Sequence, residues 1–120
     1  MRALEAAGVR TVFGLPGVHN LAIWRALSDS PMRLVGVRHE QTAAYAADAY
    51  ARTSASPGVA LVTTGPGAAN AVAATGEAWA CGSPLVVVAT DIPAALRTPG
   101  VYRGVLHETI DQAAMFKPVT

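Results

Sequence analysis

The chain has 120 residues, of which 52% are hydrophobic and 14% charged, and its formal net charge is +1. A chain of that length forms one globular domain, and so much apolar content at so little net charge excludes disorder. Nine basic and eight acidic residues fall in no like-charged run, which argues against a nucleic-acid partner or an anionic membrane surface.

Alanine is the commonest residue and aromatics make up only 6%, so the core must form by close approach of backbones. The single cysteine, Cys81, has no partner for an internal disulfide or a cysteine metal cluster. No run of eighteen apolar residues occurs, and residues 1–5 lack a signal-peptide core; together these point to an untargeted cytoplasmic protein.

In chain order, residues 1–7 read as the last turns of a helix, ended by Gly8 just beyond it. Four short β-rich runs follow, at 11–15, 34–37, 59–63 and 85–89, alternating with helix-like segments at 20–28, 41–52 and 68–80. The runs are nearly all apolar, which is how strands covered on both faces read. The alternation predicts an α/β fold, an open parallel sheet with right-handed crossovers and helices on both faces. After the fourth run, Asp91-Ile92-Pro93 and Thr98-Pro99-Gly100 break the pattern into an irregular loop with one short helix near residues 110–115. Lys117-Pro118-Val119-Thr120 looks like the approach to another element. With a start inside a helix, the chain reads as one domain shortened at both ends.

Ligands of such sheets bind beyond the carboxyl ends of the strands. Those positions hold Gly14-Leu15-Pro16-Gly17-Val18-His19-Asn20, Arg38-His39-Glu40, Thr63-Thr64-Gly65-Pro66-Gly67-Ala68-Ala69-Asn70 and Thr90-Asp91. Gly65-Pro66-Gly67 starts like a dinucleotide fingerprint, but Asn70 stands where G-x-G-x-x-G needs its third glycine, so nicotinamide binding is set aside. The two glycines serve either a tight turn or close approach of a ligand to the backbone. Glu40 is either a first-turn acid favoured by the helix dipole or a buried carboxylate that exchanges a proton with a ligand. Spacing leaves both readings open.

Three motifs in order carry a resemblance: Val12-Phe13-Gly14-Leu15-Pro16-Gly17, then Val37-Arg38-His39-Glu40-Gln41 with Ala46-Ala47-Asp48-Ala49-Tyr50-Ala51-Arg52, then Thr64-Gly65-Pro66-Gly67-Ala68-Ala69-Asn70. Together they resemble the pyrimidine-binding domain of thiamine-diphosphate-dependent enzymes, in the branch of acetolactate synthases, benzaldehyde lyase, and benzoylformate and pyruvate decarboxylases. The resemblance extends through Leu106-His107-Glu108 and Ile110-Asp111 to Phe116-Lys117-Pro118-Val119-Thr120, making residues 1–120 part of such a domain. It implies the thiamine-diphosphate-binding fold. It also implies that Glu40 is catalytic, hydrogen-bonding N1′ of the aminopyrimidine and favouring the imino tautomer that takes the thiazolium C2 proton. The cofactor supplies the electron sink, and the protein supplies geometry and a tuned carboxyl group.

By the same resemblance, the loops holding Pro16, Gly17, Thr64, Gly65 and Gly67 line the aminopyrimidine end through their backbone. Asn70 matches an asparagine at the start of the next helix, where its amide ties the loop or reaches the ring; helix capping is the alternative. His19 matches an active-site histidine of benzaldehyde lyase and is a candidate for substrate proton transfer, against a solvated loop histidine. His107 stands where many relatives carry glutamine and is a second catalytic candidate, a departure that leaves the substrate open. Ala49 replaces a frequent glycine inside a helix. Cys81 replaces a frequent aspartate and reads as a small buried hydrophobe.

Diphosphate binding in such enzymes uses a Gly-Asp-Gly segment and paired asparagines that hold Mg2+. This chain has no Gly-Asp-Gly, and its only asparagines are Asn20 and Asn70. The resemblance therefore implies half an active site, with Mg2+ and the diphosphate held by a domain of the same or another subunit in a homodimer or homotetramer. The helix at 68–80, with Trp79 as a large anchor, is the candidate interface; an ordinary buried crossover helix is the alternative. The function implied is carboligation or decarboxylation of 2-oxo acids or aldehydes by the full enzyme. Two alternatives stand beside it: a separate pyrimidine subunit of a split decarboxylase, as in sulfopyruvate decarboxylase-like systems, and a non-catalytic binding or assembly domain.

Overall fold

A computed structural model describes residues 1–120. Strands β1 (Thr11–Gly14), β2 (Arg33–Gly36), β3 (Gly58–Val62) and β4 (Leu85–Ala89) form one sheet in the order β2-β1-β3-β4. Every pairing is parallel, as the alternation of strand and helix predicts. Helices α1 (Arg2–Ala6), α2 (Leu21–Ser28), α3 (Glu40–Thr53) and α4 (Pro66–Ala80) connect and cover the strands.

Two cores lie on opposite faces of the sheet, so helices do cover both. The pleat sends alternate side chains of β3 to opposite sides. Ala60 and Val62 join Ala43, Ala44 and Ala47 of α3 and Ala71 and Ala74 of α4. Val59 and Leu61 join Val12, Leu27 of α2 and Met32, with Leu4 of α1 packed against them. The alanines of α3 and α4 bury completely, which is how a chain poor in large residues reaches core density.

Cover on both faces is complete only for β3, all five of whose residues are buried. β2 and β4 are the sheet edges; Arg33 and Gly36 are exposed, and Val86 is 41% exposed. Their apolar composition matches that of β3, so the sequence pattern does not separate edge from centre. The helix expected near 110–115 is reduced to 3-10 turns at Ala113–Met115 and Lys117–Val119; the Asp111 side chain takes the Ala114 N–H at 2.9 Å, so the turn starts only after Asp111. Cys81 is exposed rather than buried: it ends α4, and its thiol donates to Glu77 Oε1 at 3.4 Å. Gly8 ends α1 at φ +78°, in the left-handed position expected of it.

Asp48 is a buried carboxylate on α3. Its Oδ2 accepts from Arg52 Nη2 at 2.6 Å and its Oδ1 from Arg52 Nε at 3.0 Å, and Arg52 also reaches Glu77 on α4 at 3.3 Å. The hydrogen-bonded guanidinium holds the Asp48 carboxyl below the ordinary aspartate value of 3.8, against the opposing effect of burial. A depressed folded-state value stabilises the fold above the unfolded value and stops doing so as pH falls through the folded one. Asp48→Asn should therefore lower the urea midpoint at pH 7, and the gap to the unsubstituted chain should close as pH drops below 3.8. A gap that stays constant down to about pH 2 would contradict this.

An open groove of about 720 Å3 runs along the β4 edge between Leu85, Val87 and Phe116 and does not include Glu40. No helix is long and apolar enough to cross a membrane.

Candidate functional site

The strand order places β1 between β2 and β3, so the chain leaves β1 to one side and returns on the other. Ligand crevices of parallel sheets lie outside the carboxyl ends at such a reversal. Here that is where Leu15-Pro16-Gly17 follows β1 and Thr63 to Gly67 follow β3. The first turn is held by Asn20, whose side chain is completely buried. Its Oδ1 accepts from the Gly17 N–H at 2.8 Å and its Nδ2 donates to the Leu15 carbonyl at 3.1 Å.

Glu40 is the first residue of α3, whose cap is His39, Nδ1 accepting from the Gln41 N–H. Glu40 is a first-turn acid and is also buried, with 8% exposure. Its Oε2 accepts from Asn70 Nδ2 at 3.0 Å, while Oε1 has no hydrogen-bond partner. A Cβ on Gly67 would lie 3.3 Å from that Oε1 and 2.6 Å from Thr63 Cγ2. A Cβ on Gly17 would come within 2.6 to 2.8 Å of Thr63 Cβ, Oγ1 and Cγ2. Thr63 therefore fills the space that two glycines leave, and its buried hydroxyl has no partner. Buried polar groups are normally paired. Thr63 thus packs the corner between the two glycines, and the free Glu40 oxygen at its rim, 3.3 Å from the Cβ position of Gly67, is the polar atom the corner offers a ligand.

The other candidates gather at the same sheet edge. Gly65 has φ +63°, and a Cβ there would overlap the His107 carbonyl oxygen, so Gly65 and the His107 loop fit only without a side chain between them. His107 itself is left-handed at φ +65°. Its ring lies 6.2 Å from that of His19, at 75°, and His19 Nε2 donates to the Leu106 carbonyl at 3.2 Å. The Nδ1 of His107 is buried without a partner. Thr64 is fully buried with its hydroxyl on Thr90 Oγ1 at 3.2 Å, so any contact it makes to a ligand comes from its backbone. Pro16 is exposed beside Gly17.

Asn70 does not cap a helix. Gly65 holds the cap position of α4, and Asn70, a turn further in, is the residue that grips Glu40. Sequence spacing could not reveal this, because 30 positions separate the two side chains. Sequence reasoning gave no role to Asn20, Thr63 or Gln112. Of these, only Asn20 carried a local signal, an asparagine three residues after a turn glycine. No group of three or more His, Cys, Asp or Glu converges to hold a metal ion.

Comparison with known proteins bears on what meets the Glu40 corner. The profile of the family described as "Thiamine pyrophosphate enzyme, N-terminal TPP binding domain" matches residues 1–115. The chain is 48% identical over 120 residues to a probable 2-ketoarginine decarboxylase of Pseudomonas aeruginosa, covering all of this chain and 21% of that protein. It is 39% identical over 120 residues to a probable acetolactate synthase large subunit of Methanocaldococcus jannaschii, covering all of this chain and 20% of that one. Against the acetolactate synthase of Bacillus subtilis it is 40% identical over 117 residues, covering 98% of this chain and 20% of the relative. The chain spans about a fifth of the length of these relatives. The free Glu40 oxygen beside Gly67 suits a polar edge such as that of an aminopyrimidine ring. Matched from residue 1 to residue 115, the chain belongs to the N-terminal TPP-binding domain family of thiamine pyrophosphate enzymes.

Proposed function

We propose that the chain binds the aminopyrimidine half of thiamine diphosphate at its strand ends, and that Glu40 is the acid–base group that activates the cofactor. The observation that carries this reading is the split environment of the Glu40 carboxyl: Oε2 is committed to Asn70, while Oε1 is unpaired beside Gly67. An asparagine Nδ2 is a donor only. It therefore keeps Oε2 an acceptor and leaves Oε1 as the atom that takes or returns a proton at a ring nitrogen. Thr63 packs between Gly17 and Gly67, where no other side chain would fit, and fixes the wall on which the ring edge meets Glu40. When bound, the cofactor supplies the electron sink for making or breaking a bond next to a carbonyl.

His19 and His107 approach from the same edge and serve proton transfers on the substrate side. The substrate class is a 2-oxo acid, decarboxylated or joined to a second carbonyl compound. In support, relatives are named as a decarboxylase of 2-ketoarginine and as acetolactate synthases. Mg2+ and the diphosphate fall to a diphosphate-binding domain of the same or another subunit, in a homodimer or homotetramer in the cytoplasm. The α4 helix is the surface offered to that domain: Trp79 is 64% exposed on it, and large exposed aromatics are typical interface anchors.

Thiamine and thiamine diphosphate titrated into the chain should both shift the amides of Gly17, Thr63 and Gly67. Both should bind at about millimolar affinity or weaker, because the diphosphate contacts lie outside. Micromolar binding of the diphosphate form, or shifts confined elsewhere, would contradict the half-site reading.

A further inference from the structure

We propose that Gln112 is a positioning residue, its side-chain amide locking the His107 loop onto the Gly65 turn. The β3–β4 ladder ends where the Thr90 N–H donates to the Val62 carbonyl at 3.4 Å. Beyond that point no backbone hydrogen bond joins the two segments, which meet there through the Thr64 and Thr90 hydroxyls at 3.2 Å. Gln112 Oε1 accepts from the Gly65 N–H at 2.7 Å, and Gln112 Nε2 donates to the Thr90 carbonyl at 2.8 Å. A primary amide offers one acceptor and one donor edge, as a peptide unit does. The side chain thus continues the ladder across a gap that backbone no longer bridges.

What Gln112 fastens is a prebuilt loop. The buried Glu108 carboxylate accepts from the N–H groups of Arg103 and Val105, both at 3.0 Å. His19 holds the Leu106 carbonyl, and the His107 carbonyl packs on Gly65 where no Cβ fits. A left-handed non-glycine residue such as His107 persists only where its surroundings hold it. Gln112 is itself half-buried and belongs to neither hydrophobic core. Its two bonds join the turn that carries Gly67 to the segment that carries His107. The relevance of that junction to catalysis rests on the reading given under Proposed function; the junction itself does not.

Amide hydrogen exchange in the full chain tests it without any cofactor. In Gln112→Ala, the Gly65 amide should exchange about five- to tenfold faster, the effect of losing one net hydrogen bond, and the His19–His107 ring contact should be lost. Core amides of Val59 to Val62 should keep their protection. In Gln112→Glu, the carboxylate still accepts from Gly65 but sets an acceptor against the Thr90 carbonyl. Protection at Gly65 should therefore be low at neutral pH and return toward that of the unsubstituted chain as the introduced carboxyl protonates and regains a donor. Unchanged exchange at Gly65 in Gln112→Ala, no recovery at low pH in Gln112→Glu, or loss of core protection in both variants would each overturn the assignment. A thiamine diphosphate titration that leaves Glu40 and Gly67 unshifted would instead overturn the cofactor reading and leave these exchange results standing.

Discussion

Glu40→Gln should leave the fold intact and slow the cofactor-loaded enzyme by about 10²- to 10⁴-fold, the usual range for a general acid–base group. The substitution keeps the shape of the side chain. Asn70 Nδ2, which reaches Glu40 Oε2 at 3.0 Å, can donate equally to an amide oxygen, so the tie between α3 and α4 survives. What changes is the position of Oε1, which becomes an NH2 group that donates but cannot take up a proton. Turnover and the rate of deuterium exchange at thiazolium C2 should fall together, while the thermal midpoint stays within a few degrees. Unchanged turnover would remove Glu40 from the chemistry and favour the non-catalytic assembly domain.

Gly58→Ala should be the most destabilising single-methyl addition in the chain, by about 3 kcal/mol or more, at the upper end of overpacking costs. The added Cβ would overlap the Ala47 carbonyl oxygen and carbon. Gly58 opens β3 and Ala47 lies in the middle of α3, so the overlap would lift α3 from the sheet along the helix that begins at Glu40. Because the obstructing atoms are backbone, Ala47→Gly should give no rescue. Gly36→Ala is the control: nothing lies within 4 Å of its Cβ position, and its effect should stay within about 0.5 kcal/mol. Chemical denaturation of the variants measures both. A Gly58→Ala chain as stable as Gly36→Ala would show that α3 is not seated on β3 as described.

The strands and helices were legible in the sequence because each repeats a local pattern: β-rich apolar runs bounded by Gly and Pro, and alanine-rich segments between them. Edge and centre were not, because Leu85 to Ala89 of β4 is as apolar as Val59 to Val62 of β3, although β3 is flanked by strands on both sides and β4 on one. The motif glycines pointed to the right corner of the fold. Gly17 and Gly67, fifty positions apart by number, converge on one threonine. Their effect on Thr63, the grip of Asn70 on Glu40 and the bridge made by Gln112 are contacts between segments distant in sequence, and no periodicity encodes them. Cys81 misled for a related reason: its neighbours in sequence are small and apolar, yet it sits at the solvent-facing end of α4.

The central claim is that the Glu40, Thr63 and Gly67 corner receives the aminopyrimidine, and the structure of the enzyme with thiamine diphosphate bound tests it most directly. A ring nitrogen should lie about 2.6–3.2 Å from Glu40 Oε1, within reach for proton transfer. A pyrimidine ring bound away from Glu40, with Oε1 still unpaired, would contradict the account.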